Sequence, residues 1–414
     1  MTLKHPQFLE AASRIGHRLS RDAVWANGSC NWLGWSMEYL DNKWGPAYKV
    51  CDSNLYSGTA GISLFFAKLL KNSGDKLFKA SLEGGINSTL EQAESINRTT
   101  SIGFYSGIPG IAHTLIEAGD ALQQEEIINK GLGFLEELQG NIPQKVMIDV
   151  ISGPAGTIPF LLGCAKRFKR EKLTATAIAY GESLLKLAIP SDEGTSWDTM
   201  GDPTQKNLTG YSHGVAGMVC AMLELHKVTN DKRYLDTAID ALRYERSHFV
   251  REQGNWPDFR NIASNNSGKP TCNMAWCHGA PGIGMARLRT VELLKNDPKI
   301  MDEIKTAINT TAASLLHPPK DGIGNYSLCH GASGNADLLI LAADQLKKPE
   351  LKQRAEQIGL QGIQQIEMQN LPWPCGVPEG GETPNLLLGL AGIGYFYLRL
   401  YDSQTTPSIL LLKG

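Results

Sequence analysis

The pattern of hydrophobic and polar positions along the chain predicts a helical protein built from seven similar units. Apolar residues recur at three- and four-residue steps in seven segments, which is the pattern of amphipathic helices with one buried face. These segments are residues 7–24, 77–92, 120–138, 173–188, 232–249, 301–316 and 349–368. No stretch alternates convincingly between apolar and polar residues, so we predict no strand.

A second helix is predicted in each unit, directly after a recurring Gly-x-x-Gly turn. The residues that follow the turn, as in 61–70 and 392–401, are apolar on nearly all sides, which indicates buried helices. The first glycines of the seven turns are Gly58, Gly107, Gly153, Gly214, Gly279, Gly331 and Gly389. Two residues without a Cβ, about one helical turn apart, let neighbouring backbones approach closely, so packing is the ordinary role of these glycines.

Seven helical hairpins, each with a half-exposed and a buried helix, predict an all-α fold of the α/α-toroid class. Seven inner helices would form one barrel and seven outer helices a second barrel around it. An open solenoid is the alternative, but its end units need polar capping faces, and the last unit, 386–401, is as apolar as the others. We therefore expect a closed ring and a single domain over residues 1–414, in which residues 1–50 add one helix and a Trp-rich cap.

Composition and charge exclude several classes of protein. The 414 residues are 42% hydrophobic and 20% charged, which is typical of a globular protein. The net charge is −2 and no basic block is present, which argues against nucleic-acid binding. The N-terminus lacks the apolar core of a signal peptide, and no run approaches the roughly 18 apolar residues of a membrane helix. Eight widely spaced cysteines favour a reducing compartment, so we predict a cytoplasmic protein without membrane insertion.

The candidate chemistry lies just before the first glycine of three neighbouring units. His213, His278 and His330 occupy this position in units four, five and six. Cys277 and Cys329 lie one residue earlier in units five and six. Because the equivalent ends of neighbouring inner helices converge, and because thiolate and imidazole together suit Zn²⁺, the pattern predicts a zinc site.

The third ligand, beside the two cysteines, comes from His330 or His278. Three protein ligands leave one position open, as in catalytic zinc sites. A fourth ligand from Cys272 or Cys375 would instead close the site and make the zinc structural.

These motifs resemble those of the lanthionine synthetase C-like family, the cyclases of lanthipeptide biosynthesis. The matching segments are 212–214, 276–282, 329–331 and 388–394, and the resemblance covers essentially the whole chain. Residues 255–258 are most similar to the cyclase half of bifunctional lanthipeptide synthetases. The family's architecture is an α/α toroid, in agreement with the fold predicted from the repeats.

The resemblance implies roles for five residues. The family's zinc ligands fall on Cys277, Cys329 and His330. Its acid/base histidine falls on His213, and Asp149 matches an aspartate that would orient or charge that histidine. The alternative for Asp149 is an ordinary capping or turn residue.

Two positions depart from the pattern of some family members. Those members have Arg four residues before the first zinc cysteine and Tyr directly after it, whereas this chain has Asn273 and His278. We expect His278 and the helix N-termini to stabilise an enolate oxygen. The alternative for His278 is a packing role.

The implied reaction is the closure of thioether rings in a peptide. A Cys thiolate of a dehydrated precursor peptide, with its leader and core segments, adds to dehydroalanine or dehydrobutyrine and forms lanthionine or methyllanthionine. The dehydratase half is absent from this sequence, so a separate dehydratase acting in trans is an expected partner. An excised cyclase domain and a stand-alone relative are the alternatives.

Two other functions fit the same pattern. One is an enzyme that adds glutathione or another small thiol to dehydroamino acids. The other is a non-catalytic, zinc-containing scaffold that binds peptides. Loss of zinc would unfold such a scaffold but leave a catalytic toroid folded and inactive.

Overall fold

Helices dominate the fold. The computed structural model describes residues 5–40, 43–143, 146–260, 271–295, 297–316 and 324–414. The half-exposed helices are Pro6–Arg21 (α1), Lys76–Ala93 (α3), Glu125–Glu136 (α5), Glu171–Lys186 (α7), Lys232–Ser247 (α9), Pro298–Leu316 (α11) and Pro349–Gly362 (α13). The buried helices are Thr59–Ser73 (α2), Ile108–Leu122 (α4), Pro154–Phe168 (α6), Val215–Thr229 (α8), Ala280–Leu293 (α10), Ala332–Leu346 (α12) and Leu390–Tyr401 (α14).

The helices follow the predicted pattern closely. Every buried helix begins one residue after the first glycine of its turn, and every predicted amphipathic segment overlaps a half-exposed helix over most of its length. A short 3-10 helix, Arg251–Gln253, and a π-helical turn, Ile363–Glu367, complete the helical elements of the described residues. None of the helices described is long and apolar enough to cross a membrane.

The Trp-rich segment contains strands, so the prediction of no strand was wrong here. Val24–Ala26 (β1) and Ser29–Asn31 (β2) pair antiparallel, as do Leu33–Leu40 (β3) and Lys43–Val50 (β4). Alternation is weak because most β3 and β4 side chains are at least partly exposed. Residues 1–4 and 41–42 of the predicted cap lie outside the described residues.

The tryptophans of this segment divide into buried and exposed ones. Trp32 is buried and its Nε1 donates to the carbonyl of Leu19 over 2.8 Å. Trp25 lies over Gly84 of α3, where an added Cβ would meet its ring at 2.5 Å. Trp44 is 67% exposed. The segment therefore packs on the helices through some of its tryptophans only.

The second glycine of each Gly-x-x-Gly turn has a packing role. A Cβ at Gly282 would lie 1.9 Å from the carbonyl oxygen of Trp276, and one at Gly334 would lie 1.8 Å from that of Leu328. Real Cβ atoms do not approach an oxygen so closely. These turns therefore fold back on their own helix starts, which only glycine permits.

The chain divides into two compact units. The first comprises the described residues within 1–96, 110–134 and 317–408, and the second those within 97–109, 135–316 and 409–414. Within the first unit α2 packs against α3, α12 against α13, and α1 against α14. The pairing of α1 with α14 means that the first and last helices cover each other, as the apolar last helical repeat predicts.

In the second unit the helices follow the same rule. The main helix pairs are α6 with α7, α8 with α9, and α10 with α11, and the buried helix α8 also contacts α6 and α10. Each buried helix thus packs chiefly on the outer helix that follows it. The sequence suggested the pair in the other order, with the outer helix first.

Candidate active site

The site residues lie on turns that are joined by backbone hydrogen bonds. In the second unit the amide of Val150 donates to the carbonyl of Ser212 over 3.0 Å, and the amide of Ser212 donates to the carbonyl of Cys277 over 3.3 Å. The hydroxyl of Ser212 reaches the same Cys277 oxygen over 3.2 Å. Turns from three consecutive helical repeats are therefore fixed side by side, and Asp149, His213 and Cys277 lie on neighbouring turns.

His213 and Asp149 form a hydrogen-bonded pair on these turns. The Nδ1 of His213 lies 2.6 Å from Oδ2 of Asp149, whose side chain is 1% exposed. A carboxylate can only accept, so Nδ1 carries the proton. The other carboxylate oxygen, Oδ1, accepts from the amide of Ser152 over 2.7 Å. Asp149 is thus both a turn residue and the partner of His213, and the two roles use different oxygens.

The core of the second unit holds the loop that leads to His213. Arg287 and Glu245 form a fully buried ion pair, with 2.7 Å between Nη2 and Oε2. The other oxygen of Glu245 accepts from the amide of Gly210 over 3.0 Å. Because an unpaired charge in this core would be costly, the arginine, the glutamate and the loop are held together.

His278 stacks on His213. The two ring centroids are 5.5 Å apart and the rings are tilted by 21°. His278 is 1% exposed, and its Nδ1 lies 3.9 Å from Oδ2 of Asp258. Burial, together with the nearby positive charge of Arg260, lowers the pKa of His278 to about 3. The ring is therefore neutral at neutral pH.

A charged cluster that the sequence did not reveal lies against His278. Asp258 has a fully buried side chain and pairs with Arg260, with 2.7 Å between Oδ2 and Nη2. The amide of the Asn273 side chain donates to the same Oδ2 over 2.9 Å. Burial alone would raise the pKa of Asp258, but the hydrogen bonds and the positive charge of Arg260 outweigh it and lower the pKa to about 2.

The turn that carries Cys277 is unusually tight. Gly279 has φ of 98°, unlike the extended first glycines that precede α2, α6, α8, α12 and α14. The amide of Ala275 donates to the carbonyl of His278 over 3.1 Å, which closes the turn. The side chain of Asn255 ties it down, since it donates to the carbonyl of Asn273 and accepts from the amide of Ala280.

The other two predicted ligands lie in the first unit. The amide of Cys329 donates to the carbonyl of Leu387 over 2.9 Å, and the amide of Leu387 donates to the carbonyl of Tyr56 over 2.9 Å. The turns of the second unit are joined by the same pattern of hydrogen bonds. The Tyr56 hydroxyl donates to Sγ of Cys329 over 3.0 Å. Nε2 of His330 donates to the carbonyl of Gly376 over 2.9 Å, so Nδ1 keeps the lone pair that a metal would use.

The predicted zinc ligands come from both units. Cys277 belongs to the second unit, and Cys329 and His330 to the first. Among the described residues no group of three His, Cys, Asp or Glu side chains forms a metal-binding cluster. The chemistry of the donors nevertheless fits zinc, because two sulfurs and an imidazole with its second nitrogen held by a carbonyl are ligands that zinc prefers.

Cys375 and Cys272 are the two cysteines that the sequence offers as a fourth ligand. Cys375 lies 4.0 Å from the carbonyl of Thr383, and burial raises its pKa to about 12. Burial also raises the pKa of Cys272.

The fold places the chain in a class of proteins. The solved structure titled "Nisin cyclase" matches with a TM-score of 0.66 at 19% identity, over 87% of this chain and 92% of that one. Together with the alternating helices, this match confirms the predicted all-α α/α-toroid fold. The chain belongs to the lanthionine synthetase C-like family, whose sequence model matches residues 49–411.

Two relatives agree with that family. The chain is 21% identical over 395 residues to "Lacticin 481/lactococcin biosynthesis protein LcnDR2" of Lactococcus lactis subsp. lactis, covering 93% of this chain but 40% of LcnDR2. It is 23% identical over 344 residues to "Nisin biosynthesis protein NisC" of the same organism, covering 76% of this chain and 79% of NisC. The family resemblance inferred from the turn motifs is confirmed.

Proposed function

We propose that this protein is a lanthipeptide cyclase. It adds Cys thiols of a dehydrated precursor peptide to dehydroalanine or dehydrobutyrine residues, and lanthionine or methyllanthionine rings result. The observation that carries the proposal is the buried Asp149 on Nδ1 of His213, beside the Cys277 turn, in a member of this family. The relatives named for lacticin 481 and nisin biosynthesis support a peptide substrate.

Cys277, Cys329 and His330 are the residues that would hold one Zn²⁺. When bound, the ion would lower the pKa of a substrate thiol and so supply a thiolate at neutral pH. Three protein ligands leave a position for that sulfur. Tyr56 and the carbonyl of Gly376 orient two of the donors, as outer hydrogen bonds do in metal sites.

His213 is the proton donor of the proposed reaction. The substrate sulfur forms a bond to the β-carbon of the dehydro residue, and the electrons of the carbon–carbon double bond move onto the amide oxygen. His213 then transfers a proton to Cα and the amide carbonyl forms again. Asp149 holds the proton on Nδ1, leaves Nε2 to transfer its proton, and stabilises the charged imidazole. The proton added at Cα balances the one lost by the thiol.

The dehydrated residues must be made before this reaction. LcnDR2 is much longer than the part that this chain covers. We propose that dehydration is carried out outside the toroid, either by a separate dehydratase or by another part of a longer chain.

Counting free thiols in the product tests the proposal. Ring closure leaves the mass of a dehydrated precursor unchanged but removes one alkylatable thiol for each ring. After incubation with the zinc-loaded protein we expect alkylation, measured by mass spectrometry, to fall by one for each ring. A peptide that keeps all its thiols would contradict the proposal. Glutathione in the same reaction would reveal small-thiol addition as an increase in mass.

A further inference from the structure

We propose that Arg260 is the cation that stabilises the enolate oxygen, with Asp258 and Asn273 as the positioning residues that hold it. The inference rests on the proposed cyclase function and assigns a catalytic role to a residue that the sequence motifs do not include. It concerns the second unit alone, where Arg260, Asp258 and the two stacked histidines all lie.

Arg260 is held by a carboxylate from three directions. Nε lies 3.0 Å from Oδ1 of Asp258 and Nη2 lies 2.7 Å from Oδ2, while the backbone amide of Arg260 donates to Oδ1 over 3.1 Å. This two-pronged contact fixes the plane of the guanidinium. About a third of the Arg260 side chain is exposed, so a peptide can reach the charge that Asp258 aims.

Asp258 is itself rigid. Its side chain is fully buried, its amide donates to the carbonyl of Thr271 over 2.7 Å, and the Asn273 side chain donates to Oδ2 over 2.9 Å. Next to it, the carbonyl of Pro257 accepts from the hydroxyl of Thr209 over 2.6 Å. The turn 255–258 is therefore anchored to the loops before His213 and Cys277.

The cluster lies next to the proposed proton donor. Oδ2 of Asp258 is 3.9 Å from Nδ1 of His278, and the ring of His278 stacks on that of His213. Carboxylates thus flank the stacked pair on both sides, Asp149 at His213 and Asp258 at His278. Arg260 adds a positive charge on the His278 side.

A fixed cation is what the proposed reaction needs at this place. Negative charge develops on the amide oxygen when sulfur adds, and a prearranged positive group stabilises it most strongly. His278 is buried and its ring stacks on His213, so it shapes this side of the site. Arginine stays charged at every accessible pH, and its guanidinium is planar and rigid.

The contact of Asn273 with Asp258 explains how an arginine at position 273 could stabilise the enolate oxygen in the same way. Some members of the family have arginine where this chain has Asn273. The Asn273 amide already reaches Asp258, so a longer arginine there could pair with the same carboxylate. In this chain the guanidinium would come from position 260 instead.

The experiment compares Arg260→Ala with Arg251→Ala, which removes an exposed arginine from the same connection between α9 and α10. Ring formation from a dehydrated precursor is followed by thiol alkylation, and zinc content and thermal unfolding are measured for each protein. We expect Arg260→Ala to lower kcat about 100-fold with KM nearly unchanged, as when one oxyanion donor is lost. Arg251→Ala should match the parent.

Chemical rescue separates catalysis from structure. Dilute guanidinium ion should restore part of the activity of Arg260→Ala, and an equal concentration of urea should not. The double variant Arg260→Ala/Asn273→Arg should regain at least tenfold over Arg260→Ala.

Either of two results would overturn the assignment while the parent protein still forms rings: a kcat for Arg260→Ala equal to that of Arg251→Ala, or a change confined to KM. If the parent itself forms no rings, the proposed function fails instead.

Discussion

His213 depends on one buried carboxylate for its tautomer and its orientation. The pair could be suggested from the sequence only through family resemblance, because Asp149 and His213 are 64 residues apart. Arg260 was missed for a related reason. Asp258 lies two residues away, but the cluster becomes a site only through Asn273 and His278, which long-range folding brings to it. Residue types are readable from a sequence, whereas such contacts are not.

Replacing His213 with Asn tests the proton donor. The amide can still hydrogen-bond to Asp149 but cannot transfer a proton at neutral pH. We expect zinc content and unfolding temperature to stay within error, and ring formation to fall by about 100-fold or more. Undiminished cyclisation, measured by thiol alkylation, would remove His213 from the mechanism.

Replacing Tyr56 with Phe tests the outer hydrogen bond to Cys329. Loss of the hydroxyl should weaken zinc binding about tenfold, because such contacts raise the affinity of a metal site. Competition with a chromophoric chelator measures it. Tyr105→Phe is the matched control, since Tyr105 has the equivalent position in the next helical repeat and donates to the carbonyl of Ile409. Equal zinc affinity in both variants would count against the assignment.

At the scale of elements, the turns carry most of the information. The repeated glycines predicted all seven buried helix starts because each turn needs a residue without a Cβ. The strands of residues 24–50 were missed because partial exposure of their faces removes the alternation that marks a strand. The Asn27–Gly28 pair between β1 and β2 has positive φ at both residues and was an available hairpin signal.

Gly279 should be the least replaceable of the first glycines. Its φ of 98° suits glycine, and a Cβ would lie 1.8 Å from the carbonyl oxygen of Asn273. We expect Gly279→Ala to destabilise the fold by about 2 kcal/mol or more and to displace Cys277. Gly133→Ala, in α5, is the control because nothing lies within 4 Å of its added Cβ. Denaturant unfolding and zinc content measure both, and equal stabilities would refute the strain.

At the scale of the whole molecule, the residues predicted to bind zinc are divided between the two compact units. The toroid class was predictable because the repeat recurs seven times and each copy carries the same helical pattern. The division into two units was not, since the repeats continue across it. The zinc ligands remain a prediction from motif and donor chemistry.

Acid should destabilise the protein partly through His278. Its folded-state pKa is lowered from 6.5 to about 3 by burial and by Arg260, so its contribution is complete above the unfolded pKa and is lost as pH falls from 6.5 towards 3. Between pH 7 and pH 5 the free energy of unfolding should fall on the order of 2 kcal/mol further in the parent than in His278→Asn.

We expect both the parent and His278→Asn to lose the metal in acid, so the difference between them reports the contribution of the His278 ring. If the free energy of unfolding falls equally with pH in the parent and in His278→Asn, burial of this ring does not contribute to the loss of stability in acid.

Removing the metal distinguishes an enzyme from a scaffold. Chelation should abolish ring formation and leave the far-ultraviolet circular dichroism nearly unchanged, because the helices pack through large apolar cores without the ion. Adding Zn²⁺ back should restore activity. Unfolding on chelation would favour a structural zinc site.

Cyclisation of a dehydrated precursor in D₂O tests the central claim most directly. One mass spectrum, taken after thiol alkylation, counts both the rings formed and the deuterium gained at Cα. The account predicts one deuterium for each alkylatable thiol that disappears, and neither change with His213→Asn. Intact thiols and no deuterium after incubation with the zinc-loaded parent protein would contradict it.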